Sequence, residues 1–345
     1  MKKFTKLVLV SSMAISANAM AMQAMDDAAL SSTTGQDGIN IGIGITKVQI
    51  DKLYVHDNDG LSASATNKVE GVSVTGVGSG GPTFSDPKEI SNAAIVGGSG
   101  TAGALAIDGI TITANNASLL NSHNLMDLQI DSDAGANGAF LNIAAQVSGL
   151  NIKIGEISVA ASGDAATGRR GIVANSQKAI LSGLTITTGQ MAANIQLGST
   201  PQGAMIKLNT TMQGGLTISD LGILDNAGGG QITLGKLSVA DAPDAGSTTS
   251  SGNLTIAADV AVTDKGLKIT STQNASGTDI YVQGIALGAK PLDSDWKTTS
   301  GTSSTLLARG SSLKGSIGDV EVQGLKTWYD AGYTKQGSII TITGR

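Results

Sequence analysis

The chain has no cysteine, only five prolines, 3% aromatic residues and 14% charged residues over its 345 positions. Each shortage excludes something. Without cysteine there is no disulfide, although an exported protein has access to an oxidising compartment, and there is no thiol to carry a lipid anchor after a signal sequence. Stability has to come from backbone pairing and apolar burial alone. A net charge of −5 with so few bases argues against nucleic acid, whose phosphates need a basic face. Beyond the first 21 residues no run of 18 apolar residues remains, so no transmembrane segment is expected in the mature chain. Scarce aromatics imply a thin core and lack the girdles of a membrane barrel.

What is present begins with an export signal. Lys2, Lys3 and Lys6 precede an apolar run from Leu7 to Ala17, and Ala19-Met20-Ala21 supplies an A-x-A cleavage site. That order of charge, apolar stretch and small residues predicts a secretory signal peptide over 1–21, with Ala17-Asn18-Ala19 as a second site. The apolar run is shorter than the roughly 20 residues a bilayer anchor needs. The expected layout is signal peptide 1–21, a leader or cap segment 22–38 with a short helix over Met22–Leu30, and one Gly-rich all-β domain over 39–345.

The β expectation rests on composition and period. With 47 glycines helices are weakened throughout, each Gly costing roughly 1 kcal/mol relative to Ala. Short Ile/Leu/Val runs separated by Gly, Asn, Asp and Ser read as strands and turns. One unit, Gly, Leu or Ile, polar, Ile, recurs at Gly109–Ile112, Gly149–Ile152, Gly183–Ile186, Gly215–Ile218 and Gly266–Ile269. Alternation puts its two apolar residues on one face, and the Gly suits a corner or bulge.

A longer apolar skeleton is shared by Val48-x-Ile50-x-x-Leu53-x-Val55, Ile152-x-Ile154-x-x-Ile157-x-Val159, Ile232-x-Leu234-x-x-Leu237-x-Val239 and Ile280-x-Val282-x-x-Ile285-x-Leu287. Its alternation slips by one in the middle, the signature of a bulge or tight bend. The best-matched copies, Asp279–Ile285 and Asp319–Leu325, lie 40 residues apart. Degenerate short-strand repeats predict an elongated β-solenoid or a curved antiparallel sheet, with an ordinary β-sandwich as the alternative. Loops are expected over Gly76–Pro87, Ala161–Gly171 and Ala240–Gly252.

No catalytic or cofactor motif stands out. His56 adjoins Asp57-Asn58-Asp59-Gly60, but with Gly60 at the sixth place of a calcium loop the first ligand is Val55 and the twelfth Thr66, so the string reads as a hairpin turn. Asp131-Ser132-Asp133 has oxygen donors at alternate positions and no acid placed to close a calcium shell. Gly76–Gly81 fits G-x-G-x-x-G, yet Pro82 follows where a dinucleotide fold opens a helix. Nothing ties His56 or His123 to a particular serine. The expectation is a non-enzyme without metal or cofactor.

The tail is different. Trp296, Trp328, Tyr329 and Tyr333 gather the larger rings; Trp328, Tyr329 and Tyr333 form a candidate partner surface, or else the rings plug an open end of the core.

The segment Asp26-Asp27-Ala28-Ala29-Leu30-Ser31-Ser32-Thr33-Thr34-Gly35-Gln36-Asp37-Gly38-Ile39 resembles the opening of the FilA-like proteins, a family of exported proteins of Gram-negative bacteria assigned to pilus assembly or fimbriae. The resemblance rests on Asp26, Asp27, Leu30, Gly35, Gln36, Asp37 and Gly38, and it implies a cell-envelope or fimbrial role with no catalytic residues. Taken physically, the same segment is either a recognition tag or a cap on the β stack.

The chain departs from chaperone-usher pilins, which often carry a disulfide and end on a penultimate Tyr; here Gly344 is penultimate. The functional expectation is an exported structural or interaction protein of the periplasm, outer-membrane surface or fimbria. Its partners are other envelope or fimbrial proteins, or further copies of itself, engaged through strand edges such as Ser338–Thr343. The alternative is a periplasmic β-groove that carries lipid or another hydrophobic ligand. A carbohydrate-active β-helix enzyme ranks last, since the repeats carry few acids.

Overall fold

The computed structural model describes residues 38–62, 97–166, 168–300, 303–330 and 332–343. The chain divides into two compact units, Met1–Ile39 and Asn40–Arg345. The signal peptide expected over 1–21, the helix expected over 22–30, the residues Asp26, Asp27, Leu30, Gly35, Gln36 and Asp37, and the loop expected over 76–87 all lie outside the described residues. Gly38, with φ 132°, leads into the first strand.

The second unit is built from two large sheets, and the chain visits them alternately. Strand β1 (Ile39–Ile43) belongs to the first sheet; β2 (Lys47–His56) and β3 (Gly103–Ala114) pair in the second. The chain returns to the first sheet for β4 (Met126–Asp133) and β5 (Phe140–Val147), then goes back to the second for β6 (Leu150–Ile154), β7 (Ile157–Ala161), β8 (Lys178–Leu181) and β9 (Leu184–Thr187). The alternation continues with β10 (Met191–Gly198) and β11 (Ile206–Met212), β12 (Leu216–Asp225) and β13 (Gly230–Asp241), and β14 (Leu254–Thr263) and β15 (Gly266–Thr272). It ends with β16 (Thr278–Gly288) and β19 (Gly318–Leu325) in the second sheet and β20 (Gly337–Ile342) in the first. Between β16 and β19 are inserted one helical turn, α1 (Asp293–Trp296), and a ribbon of β17 (Lys297–Ser300) and β18 (Ser303–Leu306).

Strand order therefore follows chain order in both sheets. The first runs β1-β4-β5-β10-β11-β14-β15-β20, eight strands. In the second, β6 and β7 both pair with β3, and β8 and β9 both pair with β12, so each couple acts as one interrupted strand. Its ten strands thus fill eight positions.

The interruption explains the slipped repeat. Across β2–β3 the register is unchanged on either side of Asp51 and Gly109: Ile50 faces Ile110 and Leu53 faces Ile107. The same holds across Gly155 between β3 and its partners β6 and β7, and across Gly235 and Gly284 between β13 and β16. In these pairs partner strands switch their alternation together, so the feature is an in-register bend rather than an extra residue in one strand; at the β16–β19 edge the register instead shifts by one between Val282 and Ile285. Positive φ at Gly109 (84°), Gly183 (95°), Asp220 (63°) and Gly284 (68°) resets the alternation, and both halves of the repeat present their apolar residues to one face. Lys52 and Asp108 flank the bend with a 2.6 Å ion pair on the opposite face.

The passages between sheets are short and heavily hydrogen-bonded. At the β5–β6 corner Ser148 is fully buried; its hydroxyl donates to the Asn124 carbonyl (2.7 Å) and accepts from the Leu120 N–H (3.0 Å). A Cβ on Gly149 would lie 2.6 Å from both Ser118 Cβ and the Thr188 carbonyl oxygen, so only Gly fits. At the β13–β14 corner Asp241 accepts from the Thr255 N–H (2.9 Å) and hydroxyl (2.6 Å).

Two expectations are corrected here. Asp57–Gly60 is not a tight hairpin turn: β2 and β3 do pair, but the connection between them runs over 57–102. The rings of the tail do not form one group, because Trp296 is buried beside Ala286 and Leu313 whereas Trp328 is 42% exposed.

Candidate apolar binding surface

The paired registers assemble the repeats into continuous rows. In the second sheet one row runs Val48, Ile112, Ile152, Ile186, Ile218, Leu237, Val282, Val320, each directly opposite the next. Ile112, Ile152, Ile186 and Ile218 are the closing residues of the Gly-x-x-Ile units. Across the bend a second row runs Leu53, Ile107, Ile157, Leu181, Ile223, Ile232, Leu287. The first sheet has its counterpart in Ile130, Ile143, Ile195, Ile206, Val260, Ile269, Ile340. Polar side chains such as Thr111, Lys153, Thr185 and Thr217 alternate with the rows on the second sheet, and Asn142, Asn194 and Lys207 on the first. Eight strands at about 4.8 Å spacing make such a row roughly 34 Å long.

These rows do not become a closed core. Among the described residues the buried apolar side chains are seven alanines with Leu120, Met212, Trp296 and Leu313; no isoleucine or valine is among them. Coverage is graded. Ala145 and Met212, next to the inter-sheet corners, are buried. Toward the hairpin ends exposure rises to 58% at Val55, 61% at Leu287 and 68% at Val262. An open depression of about 470 Å³ lies at one hairpin end, lined by Ser132, Asp133, Phe140, Leu141 and Leu197 among others.

The most compact packing is on the other face of the second sheet. The inserted helical turn lays Trp296 over the bend, with a Cβ on Gly235 or Gly284 falling within about 3 Å of its ring atoms, and the indole N–H donates to the Lys314 carbonyl at 2.8 Å. Gln283, also buried, donates to the carbonyls of Leu307 (2.8 Å) and Ala308 (3.1 Å). Lys297 pairs with Asp220 at 2.6 Å and Asp293 at 3.4 Å; burial opposes its charge, but these two carboxylates outweigh burial and raise its pKa above the ordinary lysine value. The signal for this cluster was present in the sequence as a lone Trp beside Asp293 and Asp295, but nothing there indicates which face it covers.

The residues weighed for chemistry fall into structural roles. His56 Nδ1 lies 2.9 Å from the Ser162 hydroxyl, which itself donates to the Gly103 carbonyl at 2.6 Å; the serine proton is thus directed at backbone. Asp131 and Asp133 are in strand β4, and Asp133 accepts the Gly135 N–H at 2.5 Å to close a turn. The Gly76–Gly81 string lies outside the described residues. Among the described residues no three His, Cys, Asp or Glu side chains are grouped as metal ligands, and no helix is long and apolar enough to cross a membrane.

The tail rings occupy the β19–β20 connection. Trp328 and Tyr333 meet edge to face, centroids 6.1 Å apart at 87°, and Tyr333 is 75% exposed. Asp330 fixes this turn by accepting from the Thr334 hydroxyl (2.6 Å) and the Lys335 N–H (2.7 Å); these bonds hold its carboxyl below the usual range. Tyr329 is half-buried, its N–H donating to the Lys335 carbonyl.

Residues 1–147 match a family described as a family of unknown function (DUF6160). The match ends with β5, at the passage between sheets, and its description assigns no activity. No curated protein and no solved structure matches the chain.

Proposed function

We propose that the protein is an exported, non-enzymatic binder of an extended apolar ligand, such as the acyl chain of an envelope lipid. The two apolar faces would bound one groove, closed along the polar inter-sheet corners and open along the hairpin ends. The observation that carries this reading is that, among the described residues, isoleucine and valine are absent from the buried set despite rows seven and eight residues long. Apolar area left in contact with water forgoes roughly 25 cal/mol per Å², and an inserted chain recovers about 0.8 kcal/mol per buried CH₂. A row of roughly 34 Å exceeds the ~30 Å hydrocarbon thickness of a whole bilayer, so it accommodates any membrane acyl chain lengthwise. Serial β repetition in this reading serves length: each further strand extends the row.

The test is mass spectrometry of solvent extracts from the protein purified without detergent. Stoichiometric phospholipid or fatty acid supports the reading; a lipid-free preparation that also fails to take up a fluorescent fatty acid ends it.

A second reading, association with fimbrial or other envelope proteins, draws on the resemblance to FilA-like proteins and on the exposure of Trp328 and Tyr333. Protease shaving of intact cells followed by crosslinking decides it: surface exposure with crosslinks to fimbrial subunits supports it, and a protected periplasmic protein without such crosslinks rejects it.

A further inference from the structure

We infer that copies of this chain associate head to tail, with β19 and β20 of one copy pairing with β2 and β1 of the next, so that both sheets and their apolar rows continue across the junction. Three observations on the edges lead there.

The first is direction. Among the described residues each sheet has eight strand positions in chain order. β1 runs toward the corner that leads into β2, and β20 runs away from the corner that follows β19. Laid side by side they are antiparallel, and so are β19 and β2. A single translation therefore satisfies both sheets at once, which requires an even count in each.

The second is what the edges lack. Edge strands are normally blunted by charge or proline. β1 (INIGI) and β20 (GSIITI) have neither. Their isoleucines are open: Ile39 is 61% exposed, Ile340 50% and Ile342 55%.

The third is charge. β19 carries Asp319 and Glu321 and no base, whereas β2 carries Lys47 and Lys52 with a single acid, Asp51. Pairing like ends brings acid to acid or base to base. Continuing the row from Val320 to the next copy's Val48 places Lys47 opposite Glu321. The contact is heterologous and propagates rather than closing into a two-fold dimer.

The chain has no cysteine, so crosslinking is clean. Full-length protein carrying both Lys47→Cys and Glu321→Cys should give a ladder of disulfide-linked multimers on oxidation, and a mixture of the two single variants should give only the mixed dimer. Sedimentation should show self-association weakened about two- to fivefold by Lys47→Glu or Glu321→Lys alone and restored in the double charge swap. Both sites are exposed edge positions, and an unchanged circular dichroism spectrum confirms folding. Homotypic 47–47 or 321–321 dimers, or a monomer at every concentration without the mixed crosslink, overturn the inference. Neither outcome bears on ligand binding, which is read separately by lipid content.

Discussion

Asp319 accepts the backbone N–H of Gly284 at 2.9 Å, and Asp279 accepts that of Gly324 at 2.8 Å. The two bonds are reciprocal. They join the two best-matched repeat copies, which pair antiparallel with Ile280 opposite Val322 and Val282 opposite Val320. In each copy the Asp satisfies a glycine held at φ 68° or 64° in the other. Asp279→Ala should cost about 1.5 kcal/mol, the scale of a hydrogen bond to a charged acceptor, and the more exposed Asp319→Ala about 1 kcal/mol. Urea titration of each variant checks both values.

The acid dependence of Asp319 has a defined sign. Burial pushes its carboxyl up, but hydrogen bonds from Tyr281 and the N–H groups of Gly284 and Gly310, with the Arg309 charge, outweigh burial and hold it below the usual carboxylate range. A depressed folded pKa gives stability that is present above the unfolded value and lost as pH falls through the folded one. The wild type should therefore lose stability below about pH 4 more steeply than Asp319→Asn, measured by urea midpoints at pH 3 and pH 6.

Trp296 and Trp328 should report separately. The Trp328→Phe variant retains only the buried ring and should emit at short wavelength; Trp296→Phe retains the exposed one and should emit near the wavelength of free tryptophan. Trp296→Ala removes a ring that is 4% exposed and should cost about 3–5 kcal/mol, whereas Trp328→Ala should stay within about 0.5 kcal/mol.

Gly149→Ala probes the corner. With 2.6 Å between the added Cβ and both Ser118 Cβ and the Thr188 oxygen, backbone has to shift, at a cost of about 1–3 kcal/mol. Thermal melts should show the loss, while Gly168→Ala, where nothing lies within 4 Å, should leave the melting temperature nearly unchanged.

The exposed hairpin ends separate binding from folding. Leu287→Asp and Val55→Asp alter residues 61% and 58% exposed, so stability should move by no more than about 0.5 kcal/mol. If the rows bind an acyl chain, fluorescent fatty-acid uptake should nevertheless fall several-fold. Unchanged uptake would detach the open rows from ligand binding.

The all-β character and the slipped alternation were legible because strand period and Gly spacing are local properties. Ile112, Ile152, Ile186 and Ile218 each close a local Gly-x-x-Ile unit, so their shared face needs no knowledge of the pairing. What the sequence did not disclose was relational. Nothing in Gly155-Glu156 or Ser182-Gly183 says that neighbouring strands bend at the same line, and β6 and β7 read as separate strands until both are seen on β3. Proximity in the chain groups Trp296 with Trp328, but the 31 residues after Trp296 contain the β17–β18 ribbon and β19, which separate them. The incompleteness of burial was invisible, since an isoleucine row has the same spelling whether its face is covered or open.

Because strand order follows chain order in both sheets, no strand waits for the end of the chain. β5 meets β10, β13 meets β16 and β15 meets β20, always within a few elements. For a polypeptide emerging N-terminus first, each newly released strand finds its template already laid down at the growing edge. Assembly can proceed like knitting, one row at a time, and a truncated product would be a shorter fabric rather than an unfolded thread.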